Sequence, residues 1–248
     1  MSHDFVKDPS NWQTKYAQRL PFTDGMHGVG EVTVDNSPSY FNTDDFPDLV
    51  ARAKKLLPNA KVVVSLCNPV NRLYHEFTLS ASGADNAGRQ RDASFYEKHG
   101  VAFPADFTEF VNMLKPGEKI CTEKPDFCNE LRTLKLHSGE YHAHVRRWRS
   151  EFGSKQVLFL NMEDTIRQKT TKMVDFSEAC LPQEEYPWGT FRGRASDIFL
   201  GEKYTDSASG VSAHAEATQW LYNYFRPHNE ALAHEIDADW PIHWNKVP

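Results

Sequence analysis

Lys61-Val62-Val63-Val64-Ser65-Leu66-Cys67-Asn68-Pro69-Val70-Asn71-Arg72-Leu73-Tyr74-His75 reads as a strand, a turn and the start of a helix. Its first six residues form a short β-branched run, the composition of a strand buried in a parallel sheet. Asn68-Pro69 breaks the run, because proline cannot donate to a strand ladder. A helix follows from Pro69 or Val70 and carries Leu73, Tyr74 and Phe77.

The same alternation recurs along the chain. Asn42-Thr43-Asp44-Asp45-Phe46-Pro47 offers capping side chains and a first-turn proline, and Leu49, Ala53, Leu56 and Leu57 recur at helical spacing after it. Phe107, Phe110, Val111 and Leu114 share one helix face, ended by Pro116-Gly117. Tyr141, Val145, Trp148 and Phe152 lie four, three and four apart, the face of an amphipathic helix that Gly153 stops. Val157-Leu158-Phe159-Leu160 is a second short strand, and Glu163-Asp164 opens a helix through Ile166, Met173 and Val174. Leu221, Phe225, Leu232 and Ile236 mark a terminal helix that Pro227 kinks or interrupts. Ser80 to Asp92 reads as a loop, the Pro125 region as irregular, and Leu181 to Gly210 as a long connection. Strands alternating with helices predict an α/β fold with a parallel sheet in one domain over residues 1–248.

Composition narrows the function classes. The chain has 248 residues, 40% of them hydrophobic and 25% charged, which is ordinary for a globular protein with a sizeable core. Its net charge of −6 argues against a general nucleic-acid binder, whose affinity comes from neutralising phosphates. No apolar run is long enough to span a membrane, and residues 1–20 show no signal peptide. Cys67, Cys121, Cys128 and Cys180 form no CxxC pair, so no metal site is expected. Cys121 and Cys128 can bridge in an oxidising compartment, but their irregular spacing favours free thiols. Asp24-Gly25-Met26-His27-Gly28-Val29-Gly30 lacks a preceding strand and precedes a β-like stretch, so it is a turn rather than a phosphate loop.

Ligands of open parallel sheets bind at the carboxyl ends of the strands. That places the rim at Cys67 to His75 and at Asn161-Met162-Glu163-Asp164. There Val64 to His75 resembles the 3′-phosphate-binding segment of sulfotransferases. It is most similar to the branch of the heparan sulfate N-deacetylase/N-sulfotransferases and 3-O-sulfotransferases. Further segments resemble that branch in order. They are Asp35-Asn36-Ser37-Pro38-Ser39-Tyr40-Phe41, Gly139-Glu140-Tyr141 with Trp148, and Gln156 to Leu160 with Glu163-Asp164. Tyr186-Pro187-Trp188 with Leu200-Gly201-Glu202-Lys203, and Tyr224-Phe225-Arg226-Pro227-His228-Asn229, complete the set.

The resemblance implies a P-loop-like sulfotransferase fold with a central parallel sheet flanked by helices. It implies transfer of a sulfuryl group from 3′-phosphoadenosine 5′-phosphosulfate (PAPS) to a hydroxyl or amine, on a glycan, in the Golgi lumen. It places cofactor contacts on Arg72, His75, Trp188, Gly201, Lys203 and Tyr204, and catalytic roles on Asp35 and His144. In this role Trp188 stacks on adenine and His75 takes the place of a phosphate-binding Ser. Several positions depart from the family. Asn36 replaces a Lys, Cys67 an Arg, and Tyr204-Thr205-Asp206 a Lys-Gly-Arg. The cysteine pair that brackets the family's cofactor loop falls on Gly189 and Phe199. The family's 5′-phosphosulfate strand–loop–helix is expected to be missing. A second reading is a non-catalytic, degenerate domain of this type that binds a nucleotide or glycan.

Overall fold

The computed structural model describes Phe41 and residues 48–83, 86–163, 211 and 213–246. These residues are mostly helical, with one two-stranded parallel sheet, compatible with an α/β fold. They divide into two compact units, one within Met1–Leu66 and His144–Gly201, the other within Cys67–Ala143 and Glu202–Pro248.

The first unit holds α1 (Leu49–Leu56), β1 (Val62–Leu66) and β2 (Val157–Asn161). Both strands form where the β-branched and aromatic runs predict them. They pair in parallel, Val62 opposite Val157 and Leu66 opposite Asn161. Burial along β1 alternates: Val64 and Leu66 are buried, while Val63 and Ser65 are exposed. The expectation of a strand covered on both faces is therefore corrected, since one face of β1 meets solvent. Gln156 braces the start of the pair, its amide donating to Pro58 O and Ala60 O, each at 2.9 Å.

The second unit is helical. It contains α2 (Pro69–Ser82), α3 (Asn86–Lys98), α4 (Phe107–Leu114), α5 (Lys119–Glu123) and α6 (Pro125–Lys135). A 3₁₀ turn (His137–Gly139) leads to α7 (Tyr141–Phe152), whose residues from His144 on belong to the first unit, and the second unit ends in α8 (Ala215–Ile236) and α9 (Trp240–His243). At the start of α4, Asp106 Oδ1 accepts from Glu109 N–H at 2.9 Å, and Glu109 Oε2 accepts from Ala105 N–H at 2.7 Å. This reciprocal capping satisfies donors that a first helical turn leaves unpaired. The carbonyls at the other end of α4 are met by Arg132, which donates to Leu114 O at 2.8 Å and Lys115 O at 2.9 Å. α7 ends at Gly153, which takes a φ of 75° that a side chain would resist.

Four expectations are corrected in this unit. Residues 80–92 are not a loop: α2 runs to Ser82 and α3 begins at Asn86. The sequence there is polar, and polar bonds hold it. Ser80 Oγ donates to Asp92 Oδ2 at 2.7 Å, and Lys135 Nζ reaches Asp92 Oδ1 at 3.2 Å. Pro125 opens α6 instead of disrupting it, because a first-turn residue has no intrahelical partner for the N–H that proline lacks. Pro227, expected to kink or interrupt the terminal helix, does not interrupt it: α8 continues through it, with Leu221, Phe225 and Leu232 buried on both sides. Cys121 and Cys128 are bridged, their Cα atoms 5.4 Å apart, rather than free. The bridge joins α5 to α6 across a proline boundary, which fixes the two short helices together.

The core of this unit is aromatic. Phe107 meets Tyr74 edge-on at 5.0 Å between ring centres, and Phe77 stacks on Phe110 at 5.5 Å. Phe127 packs against Phe95 and Tyr96. Replacing Leu114, which is 0% exposed, with Ala is expected to cost about 2–5 kcal/mol in denaturant unfolding. Leu134→Ala, at a residue 51% exposed, is the matched control and should change stability by less than about 0.5 kcal/mol.

Candidate functional site

The second unit gathers three of the sequence segments singled out above. The meeting point is Gly139. A Cβ built there would lie 2.8 Å from Phe225 Cε1 and 3.2 Å from Pro69 Cβ. The Asn68-Pro69 turn, the Gly139-Glu140-Tyr141 turn and α8 therefore approach more closely than any residue but glycine permits. Asn68 fixes the first of these. Its Oδ1 accepts from Val70 N–H at 2.9 Å, capping α2, and its side chain bonds the Tyr222 hydroxyl. Burial pushes the Tyr222 phenol up to about 12 against that bond, so the hydroxyl stays protonated.

Arg72 projects one turn into α2. Its Nη1 pairs with Glu76 Oε2 at 3.1 Å, and its Nη2 donates to Lys135 O and Ser138 Oγ, both at 3.0 Å. The Tyr141 hydroxyl lies within hydrogen-bonding reach of both Arg72 and Cys67. Burial works against the guanidinium charge, but Tyr141, Glu76 and Cys67 outweigh it and hold the Arg72 pKa above its ordinary value. Burial and then Cys67 push the Tyr141 phenol well up, with Arg72 opposing. The result is a fixed positive charge near the start of a helix, tied to the end of α6 and the start of α7. Among the described residues, the buried Arg72 Nε has no hydrogen-bond partner.

A second cluster centres on Glu140. Tyr224 donates to Glu140 Oε1 at 2.5 Å, His137 Nε2 lies 3.8 Å from the same oxygen, and His228 Nδ1 lies 3.8 Å from Oε2. The His142 and His228 rings are 5.2 Å apart, and Tyr224 stacks on His228 at 5.4 Å. Burial lowers the His228 pKa below 6.5, and the neighbouring His142 and His137 lower it further, while Glu140 opposes.

The predicted site residues divide clearly. Arg72 and His75 share α2, and His75 is half-buried. His144 lies on α7, 1% exposed, with its ring 5.4 Å from that of Phe41. Asp35, Trp188, Gly201, Lys203 and Tyr204 lie outside the described residues. Sequence reasoning gave no role to Tyr141 or Glu140. Their only signal was the short Gly139-Glu140-Tyr141 match, and the contacts that give them a purpose are with residues about 70 to 80 positions away. Among the described residues no cluster of His, Cys, Asp and Glu is arranged to hold a metal, and no helix is long and apolar enough to cross a membrane.

An Asn-Pro turn, a buried helix-start arginine and a Gly-x-Tyr turn packed on a terminal helix are together the segments by which this chain resembles the sulfotransferase family, and its curated relatives support that family. Those relatives are heparan sulfate N-deacetylase/N-sulfotransferases. The chain is 28% identical over 219 residues to the bifunctional heparan sulfate N-deacetylase/N-sulfotransferase 1 of Mus musculus, and 24% identical over 216 residues to that of Xenopus laevis. Each match covers 80% of this chain and 21% of the relative. A third, from Caenorhabditis elegans, is 24% identical over 160 residues, covering 64% of this chain and 16% of the relative. The chain thus spans about a fifth of the length of the curated relatives it matches. No protein-family model matches it.

Two outcomes follow for this site. Gly139→Ala forces Phe225 or Pro69 aside and is expected to cost about 1–3 kcal/mol, by denaturant unfolding. Pairing it with Phe225→Leu should recover part of that loss, because the two changes share one contact. His228 binds a proton less readily folded than unfolded. Its contribution is therefore complete above pH 6.5 and is lost as pH falls towards the depressed folded value. Thermal melts of the wild type should accordingly drop between neutral and mildly acid pH, and His228→Gln should flatten that slope.

Proposed function

We propose that this chain is a PAPS-dependent sulfotransferase domain with the P-loop-like sulfotransferase fold, sulfating a hydroxyl or amine on a glycan of the heparan sulfate type. The observation that carries this reading is the convergence of Asn68-Pro69, Gly139-Glu140-Tyr141 and Phe225 on one close contact. Three segments matched separately by sequence are thereby parts of one packed structure. The curated relatives, named for N-sulfotransferase activity on heparan sulfate, support the same reading. The Cys121–Cys128 bridge suits an oxidising lumen such as the Golgi.

The described residues fit a nucleotide phosphate at one point. The Arg72 guanidinium is held by its neighbours with its charge secured, and among the described residues its buried Nε has no hydrogen-bond partner. A charged donor fixed before the ligand arrives needs little reorganisation to bind an anion. In the proposal Arg72 and His75 face the 3′-phosphate, Trp188 stacks on the adenine, and Gly201, Lys203 and Tyr204 line the remainder. PAPS supplies the sulfuryl group when bound. The chain's own task is to hold the acceptor in line and to accept its proton. Asp35 carries that last role in preference to His144, whose burial keeps it from solvent and from a polymeric acceptor.

The second reading, a non-catalytic binding domain, is favoured by one observation. Both terminal nitrogens of Arg72 are already used by Glu76, Lys135 O and Ser138. Calorimetric titration with 3′-phosphoadenosine 5′-phosphate, followed by sulfate transfer from PAPS to N-desulfated heparan sulfate, separates the two. Binding near micromolar, about −8 kcal/mol, is expected, weakened about tenfold or more in Trp188→Ala. Binding without transfer would support the non-catalytic reading. A folded chain that binds no nucleotide at millimolar concentration would overturn the PAPS site.

A further inference from the structure

The cluster around Glu140 has no part in the nucleotide contacts proposed above, yet it adjoins the Gly139 contact on both of its sides. Glu140 follows Gly139, and Tyr224 precedes Phe225. His142 lies three residues beyond Gly139 and His228 three beyond Phe225, and their ring centres are 5.2 Å apart. The pair thus extends the same contact by nearly one turn of α8, against the start of α7.

Several elements bring charge to this pair. Glu140 and His137 belong to the turn before α7, His142 to α7 and Tyr224 to α8 itself, while Arg132 of α6 acts on Tyr224. Of these groups one is a carboxylate, and it is already engaged. Glu140 Oε1 accepts from the Tyr224 hydroxyl, which burial and that bond keep protonated, and His137 Nε2 approaches the same oxygen. His228 Nδ1 stands 3.8 Å from Oε2, too far for a hydrogen bond. His142 Nδ1 is buried, with no hydrogen-bond partner among the described residues. Neutral imidazoles fit this arrangement, because each has one nitrogen without a proton. An imidazolium has two N–H donors and a charge, and one carboxylate balances only one such charge.

We propose that the His142–His228 pair beside Glu140 is an acid-operated catch, closed while both rings are neutral and releasing α8 from the Gly139 turn when both are charged. Release separates the two rings and lets each donate to water. The open form therefore binds protons more readily than the closed form, so acid favours opening. The His228 pKa has the matching sign: burial lowers it most, Glu140 opposes, and His142 and His137 add to the lowering.

Hydrogen exchange of the full chain at about pH 7.5 and about pH 5.5, corrected for the intrinsic effect of pH, tests the catch. In the wild type, acid should reduce the protection of residues 139–143 and 225–229 about tenfold more than that of α4, a local opening rather than global unfolding. His142→Gln/His228→Gln keeps two polar side chains of similar reach and should abolish that difference. Should the double variant be too unstable to compare, His142→Gln alone should reduce the difference, since Glu140 can balance a lone charge on His228. The same local loss in the variants as in the wild type would overturn the proposal. So would an acid loss in the wild type that is no larger at these residues than in α4.

Discussion

The close approach of backbone and ring at Gly139 is the constraint on which the helical unit depends. Hydrogen bonds fix Asn68 to its helix and, through Tyr222, tie the Asn-Pro turn to α8, but they do not set how closely the two pack. Removing one side chain does. With no Cβ at Gly139, Pro69 and Phe225 both pack against it, and dispersion is gained at each contact. The neighbouring positions inherit their environment from it. Glu140 is set against Tyr224 and Tyr141 against Arg72, so one glycine orients two polar clusters.

Those clusters differ in their electrostatic design. Around Arg72 the partners stabilise the charged form, and the guanidinium remains cationic at any physiological pH. Around Glu140 one carboxylate faces two imidazoles, His137 and His228, with His142 beside His228, and burial together with imidazole–imidazole repulsion keeps His228 neutral until the solution turns acidic. The first is permanent and the second is conditional, although they are built on adjacent residues.

Much of this was legible in the sequence where a pattern is strictly local. The Val62–Leu66 run, the Tyr141–Phe152 stripe and the Phe107–Leu114 face each declare their own period, and each forms as read. Errors arose where two local rules compete. The Pro125 region reads as irregular, yet Pro125 occupies a first turn, and an interruption at Pro227 is overruled by the buried stripe of α8. The polar stretch 80–92 holds its helices through Asp92, whose partners Ser80 and Lys135 are 12 and 43 positions away. The disulfide was discounted for a similar reason: spacing alone does not show that α5 and α6 turn back on each other. At the site, Arg72 and His75 were found by motif, whereas Tyr141 and Glu140 acquire meaning only through long-range contacts.

The parallel pairing of β1 with β2 also bears on how the chain is made. Val62 must wait for Val157, about 95 residues later, before its ladder can close. At a synthesis rate of about 5–20 residues per second that is roughly 5–20 seconds. During that interval Val62-Val63-Val64 is a bare, β-prone segment, the kind that pairs with other copies of itself. Lys61 stands directly in front of it, Lys54 and Lys55 lie a few residues earlier, and Arg52 before them pairs with Asp48. Mutual repulsion between nascent chains at that point keeps the strand available for its proper partner. The basic residues placed before the strand thus act before the fold exists, as a guard against self-association.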